Sequence, residues 1–242
     1  MHWDTCEGFL FWRTRRRYVW RRPMDDGCLP FTLELKDRAR LLEVELRRVE
    51  LERVVRFFDM LLDWNARTNL TGAKSREELL ADHWLDSVAL IRLLPSHAEV
   101  IDVGSGGGLP AFPFALMRPD CRIRMIEPRS KRVAFLRHAT RSLGLENAVV
   151  IESRLQKGRS GPLFSSMALS DVALPCCAIS RATFSVGEWM EFGAEVAGVG
   201  GSVVVFDTQR SPGIARLQPL EELSYQTGRG SLRVTSLLQV RH

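Results

Sequence analysis

Three glycines spaced two residues apart are the feature of this sequence most suggestive of chemistry. Gly104, Gly106 and Gly108 lie between two apolar stretches of the chain. Glycine lets a backbone turn tightly and approach a bound molecule, and the start of a helix offers unpaired N–H groups to it. The spacing therefore favours a ligand-binding loop between a strand and a helix. A tight structural turn is the alternative.

The residue after the third glycine narrows the class of ligand. A dinucleotide-binding loop follows G-x-G-x-x-G, and the last glycine of that pattern is replaced here by Leu109. The G-x-G-x-G spacing favours S-adenosylmethionine, whose carboxylate and ribose can pack against such a loop. A nucleotide-dependent oxidoreductase is disfavoured for the same reason.

An acidic residue further along the chain supports the same ligand. Glu127 ends the apolar stretch 123–127, and a carboxylate at a strand end can accept hydrogen bonds from both ribose hydroxyls. Neighbouring strands of an open parallel sheet present their carboxyl ends to one crevice, so Glu127 and the glycine loop are predicted to face one ligand. The alternative is an exposed turn residue before Pro128.

Apolar spacing predicts the elements that position these groups. Apolar residues recur every three or four positions over residues 31–95, so this segment is expected to be helical. Ser75 and Glu78 form a capping-box pattern that opens a helix reaching Leu94. From residue 99 onward, short strands alternate with helices. The predicted strands cover residues 99–103, 123–127, 148–151, 176–180, 202–206 and 232–240, and the predicted helices 111–117, 130–143 and 186–197.

This alternation predicts an α/β fold, a doubly wound and mostly parallel sheet with an N-terminal helical extension. The strand at 232–240 is expected to close the sheet. Three parts follow: a basic, aromatic-rich tail at 1–30, a helical segment at 31–97, and a ligand-binding domain at 98–242.

Composition bounds the class of protein. The chain has 242 residues, of which 45% are hydrophobic and 26% charged, as in soluble globular proteins. No apolar run reaches the roughly 18 residues of a membrane helix. Five cysteines without a C-x-x-C pair predict reduced thiols and a cytoplasmic location. We expect a monomer with no metal site and no membrane partner.

Positive charge is concentrated in two places. Residues 1–23 carry six arginines against two acids, and residues 118–141 carry eight basic residues against two acids. The second cluster includes Lys131 and Arg132, which are candidate RNA contacts, with a solvated helix face as the alternative. Three interpretations of the tail are open: a nucleic-acid-binding arm, a disordered tail, or an upstream stretch with Met24 as the real start.

Several motifs occur in a fixed order along the chain. They are L-D-W-N-A-R-T-N-L-T from Leu62, H-W-L-D-S from His83, I-D-V-G-S-G-G-G-L-P from Ile101, K-R-V-A-F-L-R from Lys131, E-S-R from Glu152 and I-S-R-A from Ile179. Together they resemble the bacterial small-subunit (16S) ribosomal RNA guanine-N7 methyltransferase family, also called glucose-inhibited division protein B, over roughly residues 45–207. The first two motifs are not general methyltransferase features, so the combined set is specific.

The resemblance implies a class I, Rossmann-like methyltransferase with S-adenosyl-L-methionine as cofactor and 16S ribosomal RNA or the small ribosomal subunit as partner. By position, Gly104 and Leu109 line the cofactor loop and Glu127 holds the ribose. Leu155 and Gln156 flank the adenine.

Further residues are implied around the mouth of the site. Arg181 lies near the methionine end and the target base and is the candidate catalytic residue. The others are His83, Asp86 and Arg154, the last a candidate RNA contact. The alternatives are local pairing of His83 with Asp86 on one helix, and a plain surface charge for Arg154.

The chemistry agrees with the absence of an acid–base pair. Guanine N7 carries a lone pair in the base plane, so no proton must be removed before attack. Alignment of nucleophile, methyl group and sulfur then supplies the catalysis. In A-form RNA the N7 edge lies in a deep, narrow groove, so an unpaired or extruded guanine is expected.

The chain departs from the family pattern at several positions. Gly107 and Ala111 replace a usual proline and glycine, which is a tolerable change. The fifth strand usually ends in Lys-Gly, whereas this chain has Asp207 and Thr208. Two alternatives therefore stay open: a methyltransferase with another acceptor, and a divergent non-catalytic RNA- or ribosome-binding protein that kept the fold.

Overall fold

The computed structural model describes residues 28–155, 175–209 and 214–241, together with the backbone of three short strands near the N-terminus. These are β1 (Thr5–Cys6), β2 (Phe9–Thr14) and β3 (Arg17–Arg21), which form a small antiparallel sheet. Apart from these strands and the start of the first helix, the tail predicted at 1–30 lies outside the described residues.

A seven-stranded sheet forms the centre of the described structure. Its spatial order is β6-β5-β4-β7-β8-β10-β9, in which the first five strands are parallel and β10 runs antiparallel to both neighbours. The bounds are β4 Glu99–Val103, β5 Arg122–Glu127, β6 Ala148–Glu152, β7 Cys177–Ile179, β8 Ser202–Asp207, β9 Leu217–Gln226 and β10 Leu232–Val240. The strand order reverses between β4 and β7, which confirms the doubly wound α/β class.

One strand was not predicted. The strand at 232–240 forms, but it does not close the sheet: β9 lies outside it as the edge strand. Leu217–Gln226 contains Pro219 and adjacent Glu221 and Glu222, and most of its side chains are exposed or half-buried. An edge strand tolerates such residues because one of its sides makes no ladder hydrogen bonds.

Helices cover the sheet and form the N-terminal extension. Their bounds are α1 Cys28–Arg40, α2 Arg48–Thr68, α3 Arg76–Leu79, α4 Leu85–Leu93, α5 Ala111–Met117, α6 Ser130–Ser142 and α7 Val186–Ala197. The helix predicted to reach Leu94 contains a π-helical turn, Leu80–Trp84, between α3 and α4. None of the helices within the described ranges is long and apolar enough to span a bilayer.

Local hydrogen bonds fix the loop that leads from α2 to α3. The Asn65 side chain accepts from the N–H groups of Leu70 and Thr71 at 2.7 and 3.0 Å and donates to the Thr71 carbonyl at 2.9 Å. Ser75 accepts from the Glu78 N–H at 3.3 Å, as the capping pattern predicts. The Glu78 carboxylate accepts from the Lys74 N–H rather than from Ser75, so the predicted capping box is not reciprocal.

The helical extension and the sheet share one apolar core. Phe57 of α2 stacks on Phe112 of α5 with ring centroids 4.3 Å apart. Trp84 is fully buried, and its indole N–H donates to the Leu35 carbonyl at 2.9 Å. The extension is therefore packed against the element that follows the glycine loop, which holds the loop between α2 and the sheet.

Candidate functional site

The glycine loop leaves β4 in a conformation that requires glycine. Gly104, Gly106 and Gly108 have φ angles of +78°, +57° and +84°. A Cβ at Gly108 would lie 3.0 Å from Leu136, and one at Gly104 would collide with the Thr183 hydroxyl. The loop is also tied to the neighbouring strand, because the Gly104 N–H donates to the Ile126 carbonyl at 2.8 Å. Positive φ and close approach together explain the spacing of the three glycines.

Glu127 lies directly under this loop. Its side chain is 2% exposed, and Oε2 accepts from the Gly106 N–H at 2.9 Å. Oε1 accepts from the Arg129 N–H, also at 2.9 Å. The alternative of an exposed turn residue is therefore wrong: Glu127 is buried and faces the glycine loop, as the strand-end argument predicts. Its contact with a ribose stays a prediction.

Arg132 borders the same crevice. Its Nη1 lies 3.9 Å from Glu127 Oε2 and 3.6 Å from the point where a Cβ of Gly106 would be. Lys131, one residue earlier, is exposed, as is Arg154 after β6. Leu155 is half-buried against the sheet, while Gln156 lies outside the described residues. Leu109 packs against the core at the end of the loop.

Asp102 is a site residue that the sequence reasoning missed. It precedes the last residue of β4, is 1% exposed, and its Oδ2 has no hydrogen-bond partner among the described residues. Burial raises the pKa of the Asp102 carboxyl to about 7, and the nearby Glu127 acts in the same direction. The available signal was an acidic residue inside an otherwise apolar strand that leads into the glycine loop.

Arg181 is held by the helix that precedes the sheet. Its Nε lies 2.7 Å from Oδ2 of Asp86, and its Nη2 donates to the Asp82 carbonyl at 2.9 Å. Its Nη1 contacts Nδ1 of His83. The structure thus brings His83, Asp86 and Arg181 together, as expected for residues around one mouth. The proposed local pairing of His83 with Asp86 is replaced by their shared contact with Arg181.

Electrostatics keep His83 neutral in this position. Burial, followed by the positive charges of Arg181, Arg233 and Arg229, lowers the pKa of His83 to about 3. A neutral imidazole can accept a hydrogen bond from the guanidinium through Nδ1. The lowered pKa favours the neutral ring, which can then serve as an acceptor for Arg181.

The C-terminal hairpin completes this cluster. The Tyr225 hydroxyl of β9 donates to Asp86 Oδ1 at 2.7 Å and lies 2.8 Å from the Thr235 hydroxyl of β10. Arg233 Nε lies 3.5 Å from the same Asp86 oxygen. Burial, followed by the charge of Asp86, raises the pKa of the Tyr225 hydroxyl, so Tyr225 stays a donor. Sequence reasoning missed Tyr225 because its strand was not predicted.

The turn between β9 and β10 binds the π-helical turn. The Gly228 N–H donates to the Ala81 carbonyl at 2.9 Å, and Arg229 Nη2 lies 3.1 Å from Asp82 Oδ2. A Cβ at Gly228 would lie 2.8 Å from the Ala81 backbone. Three distant parts of the chain therefore meet at one point: the helix at 76–93, the loop after β7 and the C-terminal hairpin.

Comparisons with known proteins identify relatives of this chain. The family model for "rRNA small subunit methyltransferase G" matches residues 50–214. A ribosomal RNA small subunit methyltransferase G from Desulfotalea psychrophila is 40% identical over 127 residues, covering 52% of this chain and 58% of the relative. One from Chromobacterium violaceum is 36% identical over 125 residues, covering 52% and 60%. The match thus spans less than two thirds of the length of these relatives.

A solved structure shares the fold of this chain. The structure of a mutant of MtNAS matches 90% of this chain and 78% of its own, with a TM-score of 0.51 and 9% sequence identity. At that identity the likeness concerns the fold alone.

Proposed function

Because the chain belongs to the rRNA small subunit methyltransferase G family, we propose that it transfers a methyl group from S-adenosylmethionine to N7 of a guanine in 16S ribosomal RNA. The observation that carries the proposal is the pairing of the glycine loop with Glu127. The Gly106 N–H and the buried carboxylate lie 2.9 Å apart, at the carboxyl ends of two adjacent parallel strands. This is the crevice in which open α/β sheets bind nucleosides.

The residues at this crevice fit the cofactor. Glu127 has lone pairs left for the ribose hydroxyls, and Gly106, whose missing Cβ would have no atom nearer than 3.6 Å, leaves open backbone where a side chain would obstruct a ligand. The unpartnered Oδ2 of Asp102 offers an acceptor under the loop. When bound, S-adenosylmethionine supplies a methyl group on a sulfonium, which is electrophilic without further activation.

With this cofactor, the residues of the chain have to orient the two reactants and shield them from water, rather than to transfer protons. The glycine loop and Glu127 fix the nucleoside end of the cofactor, and Arg181 at the end of β7 is proposed to lie near its methionine end. The contacts of Arg181 with Asp86 and His83 hold its guanidinium in one position. Rate acceleration is expected to arise from alignment of N7, methyl group and sulfur.

The proposed partner is small-subunit ribosomal RNA, free or within the small subunit, and the proposed working form is a cytoplasmic monomer. Exposed Lys131 and Arg154 and the half-buried Arg132 lie near the crevice and are proposed phosphate contacts. Residues 31–97 and 98–242 are proposed as the helical segment and the cofactor-binding domain.

A second candidate rests on Asp207. It stands where the resemblance implies a lysine, and its Oδ1 accepts from the Thr208 N–H at 2.6 Å. An acid in place of that cation weighs against catalysis on RNA, which keeps open a non-catalytic RNA- or ribosome-binding protein that has kept the fold. Such a protein need not retain affinity for the cofactor.

One experiment tests the proposal against this candidate. Labelled S-adenosylmethionine is incubated with the protein and either naked 16S RNA or small subunits from cells lacking the methylation. Digestion and mass spectrometry identify the product base. We expect one labelled N7-methylguanine per RNA. If the protein binds the cofactor but methylates neither substrate, a methyltransferase with another acceptor is favoured. If the protein neither binds the cofactor nor methylates either substrate, the non-catalytic protein is favoured.

A further inference from the structure

We propose that Arg181 and Arg233 together bind a phosphate group of the RNA substrate. We name these two residues the arginine pair. Arg181 follows β7, and Arg233 lies on β10, where the next residue, Val234, is in register with Asp207 at the end of β8. Both residues therefore lie at the carboxyl ends of the parallel strands. The inference rests on the proposed function, because it assigns part of the contact with RNA.

A single carboxylate serves both members of the arginine pair. Asp86 Oδ2 lies 2.7 Å from Nε of Arg181, and Asp86 Oδ1 lies 3.5 Å from Nε of Arg233. Oδ1 also accepts a hydrogen bond from the Tyr225 hydroxyl at 2.7 Å. The side chains of Arg181 and Arg233 are only 13% and 22% exposed. Two largely buried positive charges therefore share one negative charge, which leaves one positive charge without compensation.

The other charged groups around the arginine pair do not remove this excess. His83 contacts Arg181, but its lowered pKa favours the neutral ring. Arg229 lies 3.1 Å from Asp82 and 3.8 Å from Glu78, and these three side chains are between 30% and 59% exposed. Water screens exposed charges of this kind, so they contribute little to the balance inside the cluster. The uncompensated charge belongs to the buried arginine pair.

Arg233 also has hydrogen-bond donors to spare. A separation of 3.5 Å from Asp86 is too long for a good hydrogen bond, and Arg233 Nε is enclosed without a partner among the described residues. Its Nη groups form no hydrogen bond within the described part of the chain either, and the nearby Asp207 accepts from the Thr208 N–H instead. A phosphate supplies oxygen acceptors in the geometry that fits a guanidinium. The arginine pair therefore has both the charge and the donors for one phosphate.

The position of the arginine pair favours RNA over the cofactor as the source of the anion. Thr183 Oγ1 lies 3.4 Å from the Gly104 carbonyl, so the loop after β7 borders the glycine loop. Glu127, the proposed ribose contact, ends β5. The order β5-β4-β7-β8-β10 puts four strand spacings between Glu127 and Arg233, an interval of roughly 19 Å. Arg233 therefore lies on the far side of the crevice from the nucleoside end of the cofactor, where the methyl acceptor has to approach.

The first test measures binding of 16S RNA, free or in small subunits, to the protein loaded with S-adenosylhomocysteine over a range of salt concentrations. Arg233→Gln is expected to weaken binding roughly fourfold at about 0.15 M salt and to make the logarithmic salt dependence shallower by about 0.7, the share of one single-strand phosphate. Arg233→Lys keeps the charge and is expected to keep the slope. An unchanged slope in Arg233→Gln would overturn the proposal.

Arg92→Gln is the matched control for this test. Arg92 lies at the other end of α4 from Asp86 and pairs with Glu221 of β9 at 3.0 Å. The control therefore removes an arginine that joins the same helix to the same hairpin, but away from the crevice. Its RNA affinity and salt dependence are expected to equal those of the unaltered protein. An equal change of slope in Arg92→Gln would overturn the assignment to Arg233.

The second test separates a phosphate contact from a structural role by thermal unfolding. Arg233→Gln removes one of two like charges that share Asp86, so its midpoint of unfolding is expected to equal or exceed that of the unaltered protein. Residues selected for binding are often unfavourable for stability in this way. A large fall of the midpoint, or failure to fold, would show that Arg233 holds the hairpin in place and would overturn the proposal.

Cofactor affinity of the same variant identifies the source of the anion. Arg233→Gln is expected to bind S-adenosylmethionine as tightly as the unaltered protein does. Weaker cofactor binding with an unchanged salt slope would assign the arginine pair to the cofactor carboxylate and overturn the RNA assignment. None of these measurements needs methyl transfer. If transfer to N7 fails while the slope changes as expected, only the proposed function is overturned.

Discussion

The guanidinium of Arg181 and the carboxylate of Asp86 are an ion pair, with Nε and Oδ2 2.7 Å apart and both side chains largely buried. The pair joins the end of β7 to α4, so the loop after β7, which lies beside the glycine loop, is fixed to the helical extension. Removing either charge leaves the other buried without its ion-pair partner at 2.7 Å, which destabilises the fold.

A double-mutant cycle tests this ion pair. Arg181→Met and Asp86→Leu are each expected to lower the free energy of unfolding by roughly 3 kcal/mol, and the double variant by clearly less than the sum. Chemical denaturation of the four proteins gives the coupling energy. Additive effects would mean that the pair contributes no interaction of its own.

Glu127→Gln tests the cofactor site. The change keeps the shape of the side chain but removes the charge that accepts from Gly106, so S-adenosylmethionine affinity is expected to fall tenfold to roughly a hundredfold. Glu152→Gln is the matched control, because Glu152 is paired with Glu127 in register on the adjacent strand but is 41% exposed. Calorimetry measures both. Equal affinities of the two variants would remove Glu127 from the site.

Gly106→Ala separates ligand contact from backbone strain. Gly106 and Gly144 have φ angles of +57° and +58°, so alanine strains the backbone similarly at both. Nothing lies within 4 Å of a Cβ at Gly144. Both variants are expected to lose about 1–2 kcal/mol of stability, whereas only Gly106→Ala weakens cofactor binding. An equal loss of cofactor affinity in Gly144→Ala would show that the loss in Gly106→Ala comes from reduced stability rather than from a lost ligand contact.

Asp102→Asn tests the raised pKa of the buried carboxyl. A folded pKa of about 7, above the ordinary value of 3.8, means that the folded protein binds more protons between these values. The stabilisation that the Asp102 carboxyl contributes is therefore fully present below about pH 4 and is lost as the pH rises through 7. His83, with its lowered pKa, acts oppositely at acidic pH. The free energy of unfolding is measured against pH for the unaltered protein and for Asp102→Asn, and the difference between the two curves isolates the contribution of Asp102. A difference that does not change with pH would contradict the raised pKa.

Asp207→Lys tests the end of β8 as part of the RNA path. A cation there is expected to strengthen RNA binding. It is also expected to steepen the fall of the binding constant with salt concentration by about the amount that one additional phosphate contact contributes. Glu34→Lys on the exposed side of α1 makes the same charge change elsewhere and serves as the control. Binding is measured over a range of salt concentrations. Equal slopes for the two variants would place Asp207 away from the RNA.

The predictable part of this structure is the part specified by local pattern. The glycine loop and Glu127 were predicted because a strand, a turn and a helix are each encoded in a few consecutive residues, and parallel strands align their ends. The contact of Asp86 with both Arg181 and Tyr225 was not predicted. These residues lie on three separate elements, and their distance along the sequence carries no information about such a contact. Edge strand β9 was missed because Pro219 and its acidic neighbours weaken the apolar alternation.

The hydrogen bond from Tyr225 to Asp86 also has a consequence for synthesis of the protein on the ribosome. Asp86 emerges early, whereas β9 and β10 emerge after the other elements described here. Until they are synthesised, the carboxylate lacks the Tyr225 donor and the nearby Arg233, and β8 lacks β10, one of its two neighbouring strands. A nascent chain can therefore assemble the glycine loop before the loop after β7 is secured beside it, so maturation of the site awaits synthesis of the β9–β10 hairpin.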